Sequence, residues 1–301
     1  MKSWYRHRFH NVAALQLVFT TMRSAPRFVQ PPMAAITALI FFLMLKRERR
    51  AVAGNLRRVS GKAGLSLYWM VYRVFYSFCD LIVSYAFVPQ ASHAQLLSML
   101  PEGERGAEVI DRCLAAGKGL IVWTAHLGNP EFASRLLEMH GRPVNVARVV
   151  EDKPAERMLR DRMSSERLRI VDLRGGARAT IELLQALGRN EIVAIQGDRV
   201  YHSRHAAALP FFATPAEFPL GPFLLSQVSG APVLPGFVVR CGWLRYRVLM
   251  GEPIAPASSG DRAQDQFEGL RQAVRFLEAQ LSDYYDQWVN FFAFWPVHSR
   301  D

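Results

Sequence analysis

The apolar and polar positions divide the chain into two differently patterned parts. Near the N-terminus, Phe28 to Leu45 and Leu65 to Val88 are long apolar runs with few charges, which predict helices buried in a core or facing lipid. After Glu104, short apolar runs such as Gly119 to Thr124 and Glu191 to Gln196 alternate with segments of helical periodicity. This alternation predicts an α/β fold with a mostly parallel central sheet flanked by helices, and with membrane-associated helices at the N-terminus.

An aromatic, proline-rich segment lies in the second half of the chain. Leu209 to Pro222 predicts a rigid apolar loop, suited either to an acyl chain or to packing beneath another loop. A helix is predicted from Phe218 to Val228, followed by strands at Pro232 to Val239 and Leu244 to Met250 and a long amphipathic helix at Gln264 to Trp288. In such a fold, function is expected where parallel strands end and loops begin.

Positive charge is concentrated before Gly61. That stretch holds eleven of the 37 Lys and Arg residues and one acid, Glu48, so ten of the eleven net positive charges lie there. The cations flank the apolar runs Phe9 to Met22 and Phe28 to Leu45, an arrangement that suits an anionic lipid surface at about 1 kcal/mol per cation. We therefore predict a membrane-attachment segment over residues 1–60 and a catalytic α/β domain over residues 61–301.

The length of Phe28 to Leu45 bears on whether it crosses a bilayer. Pro31 and Pro32 interrupt its start and leave about 13 good helical residues, fewer than the roughly 20 that a spanning helix needs. A helix lying in one leaflet fits better than a spanning anchor, a buried core helix or a cleaved signal peptide. The cluster Lys46 to Arg50 is then expected on the cytoplasmic side.

The strongest candidate for chemistry is the segment WTAHLGNPE, residues 123–131. His126 follows a buried strand, and Asn129 and Pro130 are typical of an N-cap and a first helical residue, so Glu131 is expected in the first helical turn. The turn between them lets the Glu131 carboxylate reach the imidazole, fix its tautomer and raise its basicity toward an attacking hydroxyl. The motif contains no Ser or Cys nucleophile, which favours direct attack by the acceptor. The alternative is a histidine that caps the helix, with Glu131 stabilising its positive end.

A second candidate is the segment QGDR, residues 196–199, which also follows an apolar strand. An acid and an arginine at a strand end can hold a phosphate or a thioester carrier, because guanidinium binds phosphate in bidentate fashion. A surface ion pair in a turn is the alternative.

Taken together, these segments resemble the lysophospholipid acyltransferase superfamily, and more closely its lauroyl and myristoyl transferases of lipid A biosynthesis. His126 to Glu131 resembles the family's His-x4-acid motif, and Asp198-Arg199 its acid-containing strand-end motif. The resemblance runs from Glu48 to Trp295 and includes Phe211 to Pro222 and Ser229 to Pro235. The chain lacks the Phe-Pro-Glu-Gly-Thr-Arg block of the glycerolipid members, which argues against a glycerol-phosphate acceptor.

This resemblance implies an enzyme on the cytoplasmic face of a bacterial inner membrane, without a metal or redox cofactor. It implies transfer of a fatty acyl group from acyl carrier protein, or from coenzyme A, to a hydroxyl of a lipid. His126 is expected as general base with Glu131 as its partner. The candidate substrate-binding residues are Asn129, Arg148, Asp198 and Arg199.

Several alternatives stay open at this stage. A lipid A precursor is the first choice of acceptor, with an amino-acid lipid or a polyene lipid as rivals. A non-catalytic lipid-binding protein on the same fold predicts that His126 and Glu131 do not meet, or that no cavity reaches them. Nucleic-acid binding is disfavoured, because the basic residues bracket apolar segments. A soluble hydrolase is disfavoured by the lack of a Gly-x-Ser-x-Gly or His-Glu-x-x-His motif.

Overall fold

The structure is a computed structural model that describes residues 12–150, 153–163, 165–201, 205–257 and 259–295. The described chain groups into two compact units: unit 1 holds residues 12–91, 153–163 and 285–295, and unit 2 holds 92–150 and the described part of 165–284. The predicted boundary at residue 60 stays a prediction. Lys2, Arg6 and Arg8 of the predicted attachment segment lie outside the described residues.

From residue 107 to residue 196, helices and strands alternate as the sequence predicts. The helices are α1 (Val12–Ser24), α2 (Gln30–Met44), α3 (Lys46–Ser60), α4 (Gly64–Ser84), α5 (His93–Ser98), α6 (Ala107–Ala115), α7 (Pro130–Leu137), α8 (Pro154–Met163), α9 (Ala177–Gly188), α10 (Gly221–Ser229) and α11 (Arg262–Tyr284). The strands are β1 (Leu120–Thr124), β2 (Val144–Arg148), β3 (Leu168–Asp172), β4 (Ile192–Gln196), β5 (Ala206–Phe211), β6 (Thr214–Pro219), β7 (Val233–Gly242) and β8 (Arg245–Met250).

Unit 1 is helical and encloses a segment from near the C-terminus. In α2, Pro31 and Pro32 occupy the first helical turn, where a missing N–H breaks no hydrogen bond. Asn55 of α3 is buried and binds three backbone groups of the segment 290–294: its Nδ2 donates to the carbonyls of residues 290 and 292, and its Oδ1 accepts from the N–H of residue 294. One buried amide therefore ties the aromatic C-terminal segment to α3.

One helical run in the described chain is long and apolar enough to cross a membrane, Gly64–Gln90. Most of that run is buried inside the protein, so length and composition alone do not make it a membrane span. The shorter apolar helix α2 has 15 residues.

Unit 2 is built on a six-stranded sheet in the order β3-β2-β4-β1-β7-β8. Neighbouring strands are parallel except for the antiparallel pair β7 and β8 at one edge. The apolar strand β1 is buried along its whole length, as expected for a central strand covered on both faces. The predicted α/β class with a mostly parallel central sheet is confirmed.

The segment predicted as a rigid loop is instead a two-stranded hairpin of β5 and β6. Pro210 and Pro215 lie opposite each other in the ribbon, which has no further strand to satisfy, so their missing N–H groups cost little. The turn uses positive φ angles at Phe212 and Ala213, and Glu278 accepts a hydrogen bond from the Phe212 N–H at 2.6 Å. The helix predicted from Phe218 begins instead at Gly221, because Phe218 and Pro219 belong to β6.

Candidate active site

The loop that carries His126 is anchored by its own backbone. β1 ends at Thr124, and the Asn129 N–H donates to the Val238 carbonyl of β7 at 2.7 Å. Gly128 has a φ of 74°, and a Cβ there would lie 2.0 Å from the same carbonyl oxygen. Only glycine allows this close approach, so the backbone after His126 is held tightly against β7.

The start of α7 is formed as the sequence predicts. The Asn129 side chain accepts a hydrogen bond from the Phe132 N–H at 2.9 Å, and Pro130 is the first helical residue. The other end of the Asn129 amide donates to the Tyr246 hydroxyl at 3.3 Å. Asn129 therefore positions the first turn of α7, and its role as a substrate contact stays a prediction.

The imidazole of His126 is paired with Asp198. The His126 Nδ1 lies 2.7 Å from the Asp198 Oδ1, and the His126 backbone N–H donates to Oδ2 at 3.1 Å. The pairing follows from the sheet, because β1 and β4 are parallel neighbours with Thr124 opposite Gln196, so residues 126 and 198 leave the same edge at the same level.

This pairing involves a different carboxylate from the one that the sequence assigned to the imidazole, and the partnership of Glu131 with His126 stays a prediction. We expected Glu131, but the carboxylate on His126 Nδ1 is that of Asp198. Asn129 and Pro130 fix Glu131 in the first turn of α7, whereas Asp198 extends from the strand next to β1. Glu131 is half-buried at the positive end of that helix, and its part in catalysis stays a prediction.

The remaining candidates also lie at this edge of the sheet. Arg199 follows Asp198 and is 6% exposed, and Arg148 ends β2, the other parallel neighbour of β4. Glu151 and Asp152, the acids that follow Arg148 most closely in the sequence, lie outside the described residues.

The environment keeps the imidazole neutral. Burial lowers the pKa of His126, the charges of Arg199 and Arg148 lower it further, and Asp198 opposes them without reversing the shift. Burial alone would raise the pKa of the Asp198 carboxyl, but the hydrogen bonds from the His126 ring and backbone N–H and the charge of Arg199 hold it below its usual range. An ionised Asp198 accepts from Nδ1–H, which leaves the lone pair on Nε2.

Two features of the site were not apparent from the sequence. Gly197 packs against Trp123 so closely that a Cβ would lie 1.9 Å from the indole Nε1, and its N–H donates to the Thr124 carbonyl at 2.8 Å. Tyr246 of β8 supports Asn129, and its ring lies 4.3 Å from that of Phe132. In the sequence, the glycine before Asp198 was the one sign of a close approach at this place. Nothing in the sequence indicated that Tyr246 belongs to the site.

A histidine–aspartate pair at the carboxyl edge of a parallel sheet defines an α/β protein suited to base-assisted group transfer. The sequence matches the family described as bacterial lipid A biosynthesis acyltransferase over residues 6–295. Since the match covers nearly the whole chain, the protein belongs to this family, which confirms the resemblance seen in the motifs.

Curated relatives give a second comparison. The chain is 29% identical over 150 residues to phosphatidylinositol mannoside acyltransferase of Mycobacterium tuberculosis, in strains CDC 1551/Oshkosh and ATCC 25618/H37Rv. The aligned stretch covers 49% of this chain and 47% of each relative. The chain thus spans about half the length of the curated relatives it matches.

Proposed function

We propose that the protein is an O-acyltransferase, which moves a fatty acyl group from a thioester carrier to a hydroxyl of a lipid. The observation that carries this proposal is the 2.7 Å pairing of His126 Nδ1 with Asp198 at the carboxyl edge of the sheet. It prepares Nε2 to accept a proton, and the loop that follows, residues 127–131, offers no Ser or Cys for an acyl-enzyme.

The proposed reaction is a direct transfer. His126 Nε2 takes the proton of the acceptor hydroxyl while the hydroxyl oxygen attacks the thioester carbonyl carbon. The tetrahedral intermediate then collapses, the carbon–sulfur bond breaks, and the proton on Nε2 passes to the leaving sulfur. The products are an ester and a free thiol, so the imidazole ends the cycle neutral. Asp198 holds the ring in the required tautomer and stabilises the transient imidazolium.

Arg148 and Arg199 supply positive charge to this reaction. Both lower the pKa of the imidazole through their charge, so we assign both to stabilising the negative charge that develops on the carbonyl oxygen. They are also the candidates for binding a phosphate of the carrier or of the acceptor. We assign Asn129 to positioning α7. Glu131 supplies a second carboxylate at the start of that helix.

We assign the donor and the acceptor with the support of the family resemblance and of the relatives' names. The donor is acyl carrier protein, with acyl-coenzyme A as the alternative. The relatives' name, phosphatidylinositol mannoside acyltransferase, and the family's description, lipid A biosynthesis, both point to a glycolipid hydroxyl. A lipid A precursor of lipopolysaccharide synthesis is our first choice, ahead of an amino-acid lipid or a polyene lipid, and the expected location is the cytoplasmic face of the inner membrane.

The test is a transfer assay at pH 8 with total membrane lipid and with acyl carrier protein whose thioester-linked acyl group is radiolabelled. The variant is His126→Gln, and the matched control is His140→Gln, another histidine flanked by carboxylates, those of Asp111 and Glu104. His140 precedes β2 and so belongs to the opposite edge of the sheet from His126. Removing a general base should lower the rate by about 10²–10⁴-fold.

The labelled product and the activities of the two variants distinguish the proposed transfer from the alternatives. A labelled lipid made by the wild type and by His140→Gln, but not by His126→Gln, supports the proposal, and its mass identifies the acceptor. Full activity in His126→Gln would exclude the general base. If no product forms with acyl groups of any length, carried either by acyl carrier protein or by coenzyme A, a non-catalytic lipid-binding protein is favoured.

A further inference from the structure

The hairpin of β7 and β8 presents two polar side chains to the helix that follows the His126 loop. On β7, Leu234 packs in the same core cluster as Leu137 of α7. Successive side chains of a strand point to opposite faces of the sheet, so Arg240 lies on the same face as Leu234. Tyr246 of β8 is directly opposite Arg240, and opposite residues of an antiparallel pair share a face. Arg240 and Tyr246 therefore both face α7.

Tyr246 shows that this hairpin reaches the first turn of α7. Its hydroxyl accepts a hydrogen bond from the Asn129 amide at 3.3 Å. On β7, the Val238 carbonyl accepts from the Asn129 N–H at 2.7 Å, so Asn129 and Val238 lie at the same level. Glu131 and Arg240 each come two residues later in their own segments. This alignment brings Glu131 and Arg240 to the same corner of the site.

Neither charge at this corner is fully hydrated. Glu131 and Arg240 are both half-buried. One polar atom of each, the Glu131 Oε2 and the Arg240 Nε, is shielded from solvent. Removing a carboxylate or a guanidinium from water is costly unless an opposite charge lies beside it. Two opposite charges shielded at one corner can offset each other's cost, which makes Arg240 a fitting partner for Glu131.

Arg148 is the competing cation at this edge of the sheet. It ends β2, and β4 lies between β2 and β1. Two strand spacings amount to roughly 10 Å. Arg240 belongs instead to β7, the strand that is hydrogen-bonded to the loop after β1 through Asn129. The strand order therefore favours Arg240 over Arg148 as the partner of Glu131.

We propose that Arg240 is a positioning residue that pairs with the Glu131 carboxylate and, together with Tyr246, fixes the first turn of α7 against the hairpin. Glu131 is then oriented by β7 and not by the imidazole of His126, whose ring is bonded to Asp198. A carboxylate fixed at this corner can accept a hydrogen bond from the acceptor lipid. The part that the pair plays in transfer rests on the proposed function, but the pairing itself does not.

The first arm of the test is a double-mutant cycle in thermal unfolding, which requires no activity. Arg240→Gln and Glu131→Gln each leave one shielded charge without its partner, so we expect each to lower the Tm by about 5 °C. The double variant should melt no lower than either single variant, because neither charge is left alone. The matched control is Arg245→Gln, at an exposed arginine of the same hairpin, which should change the Tm by less than about 1 °C.

The second arm measures acyl transfer by the same variants. We expect Arg240→Gln and Glu131→Gln each to lower kcat/KM for the acceptor lipid by about 10- to 100-fold, and the double variant to lose no more. Arg240→Lys should recover most of the loss, and KM for acyl carrier protein should stay unchanged, which a general loss of structure would not produce. If the wild type transfers nothing, the proposed function fails, while the thermal cycle still decides the pairing.

Several outcomes would overturn the proposal. Additive losses of Tm in Arg240→Gln and Glu131→Gln would show that the two side chains do not pair. A non-additive cycle between Glu131→Gln and Arg148→Gln would make Arg148 the partner. If Arg240→Gln does not fold, the double variant must restore folding, and its failure to do so would equally contradict the pair. Wild-type kinetics in Arg240→Gln, in an enzyme that does transfer, would exclude the positioning role.

Discussion

Replacing Asp198 by Asn should disable the base while leaving the fold intact. The two side chains have the same shape, and the buried site would keep its packing. The change removes the negative charge that accepts from His126 Nδ1 at 2.7 Å and from the His126 backbone N–H at 3.1 Å. An Asn amide that donates to Nδ1 also imposes the wrong tautomer, with the proton on Nε2, so the ring can no longer take the acceptor's proton.

The expected loss is large because the pair is buried. A charge-assisted hydrogen bond to an imidazolium that forms only in the transition state contributes about 3–5 kcal/mol in such surroundings, or about 10²–10⁴-fold in kcat. KM should change much less, since the carboxylate faces the ring. The assay measures the initial rate of acyl transfer at a range of concentrations of acyl carrier protein loaded with its acyl group.

The pH profile gives a sharper test than the rate alone. The acid limb of kcat/KM reports the pKa of His126 in the free enzyme, because only the neutral ring acts as a base. Burial and Arg199 place that pKa below the ordinary value of 6.5, and Asp198 acts in the opposite direction. Asp198→Asn should therefore move the residual acid limb to lower pH, and Arg199→Gln should move it to higher pH.

Two results would contradict this role of Asp198: acid limbs that move in the same direction in Asp198→Asn and Arg199→Gln, or a wild-type kcat in Asp198→Asn. Thermal denaturation of both variants provides the control for folding. A loss of activity with an unchanged limb would mean that Asp198 supports the loop and not the protonation state of the ring.

Three further predictions concern stability. Gly128→Ala should destabilise the protein by about 2–4 kcal/mol, because its Cβ would strike the Val238 carbonyl at a positive φ; Gly54→Ala, with open space around it, should be neutral or stabilising in the same thermal melts. Asn55→Ala should cost about 2–4 kcal/mol by urea denaturation, since three backbone groups lose a buried partner. Glu104 and Asp111 outweigh burial and raise the pKa of His140, so His140→Gln should destabilise most at pH 5.5 and progressively less as the pH rises through that pKa; equal losses at pH 5.5 and 9 would contradict the ion pairs.

Local signals account for what the sequence predicted well. The cap at Asn129 and Pro130 and the buried strand before His126 depend on neighbouring residues, and the structure reproduces them. The hairpin of β5 and β6 escaped prediction because its turn uses Phe212 and Ala213 at positive φ, where Gly or Asn would have been the usual signal.

The partner of His126 escaped prediction for a different reason. Glu131 is near it in sequence, whereas Asp198 becomes its neighbour only once β4 is known to lie between β1 and β2. Periodicity and strand length give no strand order, so 72 residues of separation could not be bridged by pattern alone. Asp198 was predicted only as a substrate contact, and the sheet topology is what places its carboxylate on the His126 Nδ1.

The same topology implies that the base is held by three strands and not by its own motif. On one side of β1, Gly197 lets β4 approach Trp123 and deliver Asp198 to the ring. On the other side, Gly128 lets the loop lie against β7. Each contact requires a residue without a Cβ, so the position of the imidazole depends on backbone packing across the centre of the sheet. A change in β7 that bears no chemistry can therefore displace His126 as effectively as a change in the motif itself.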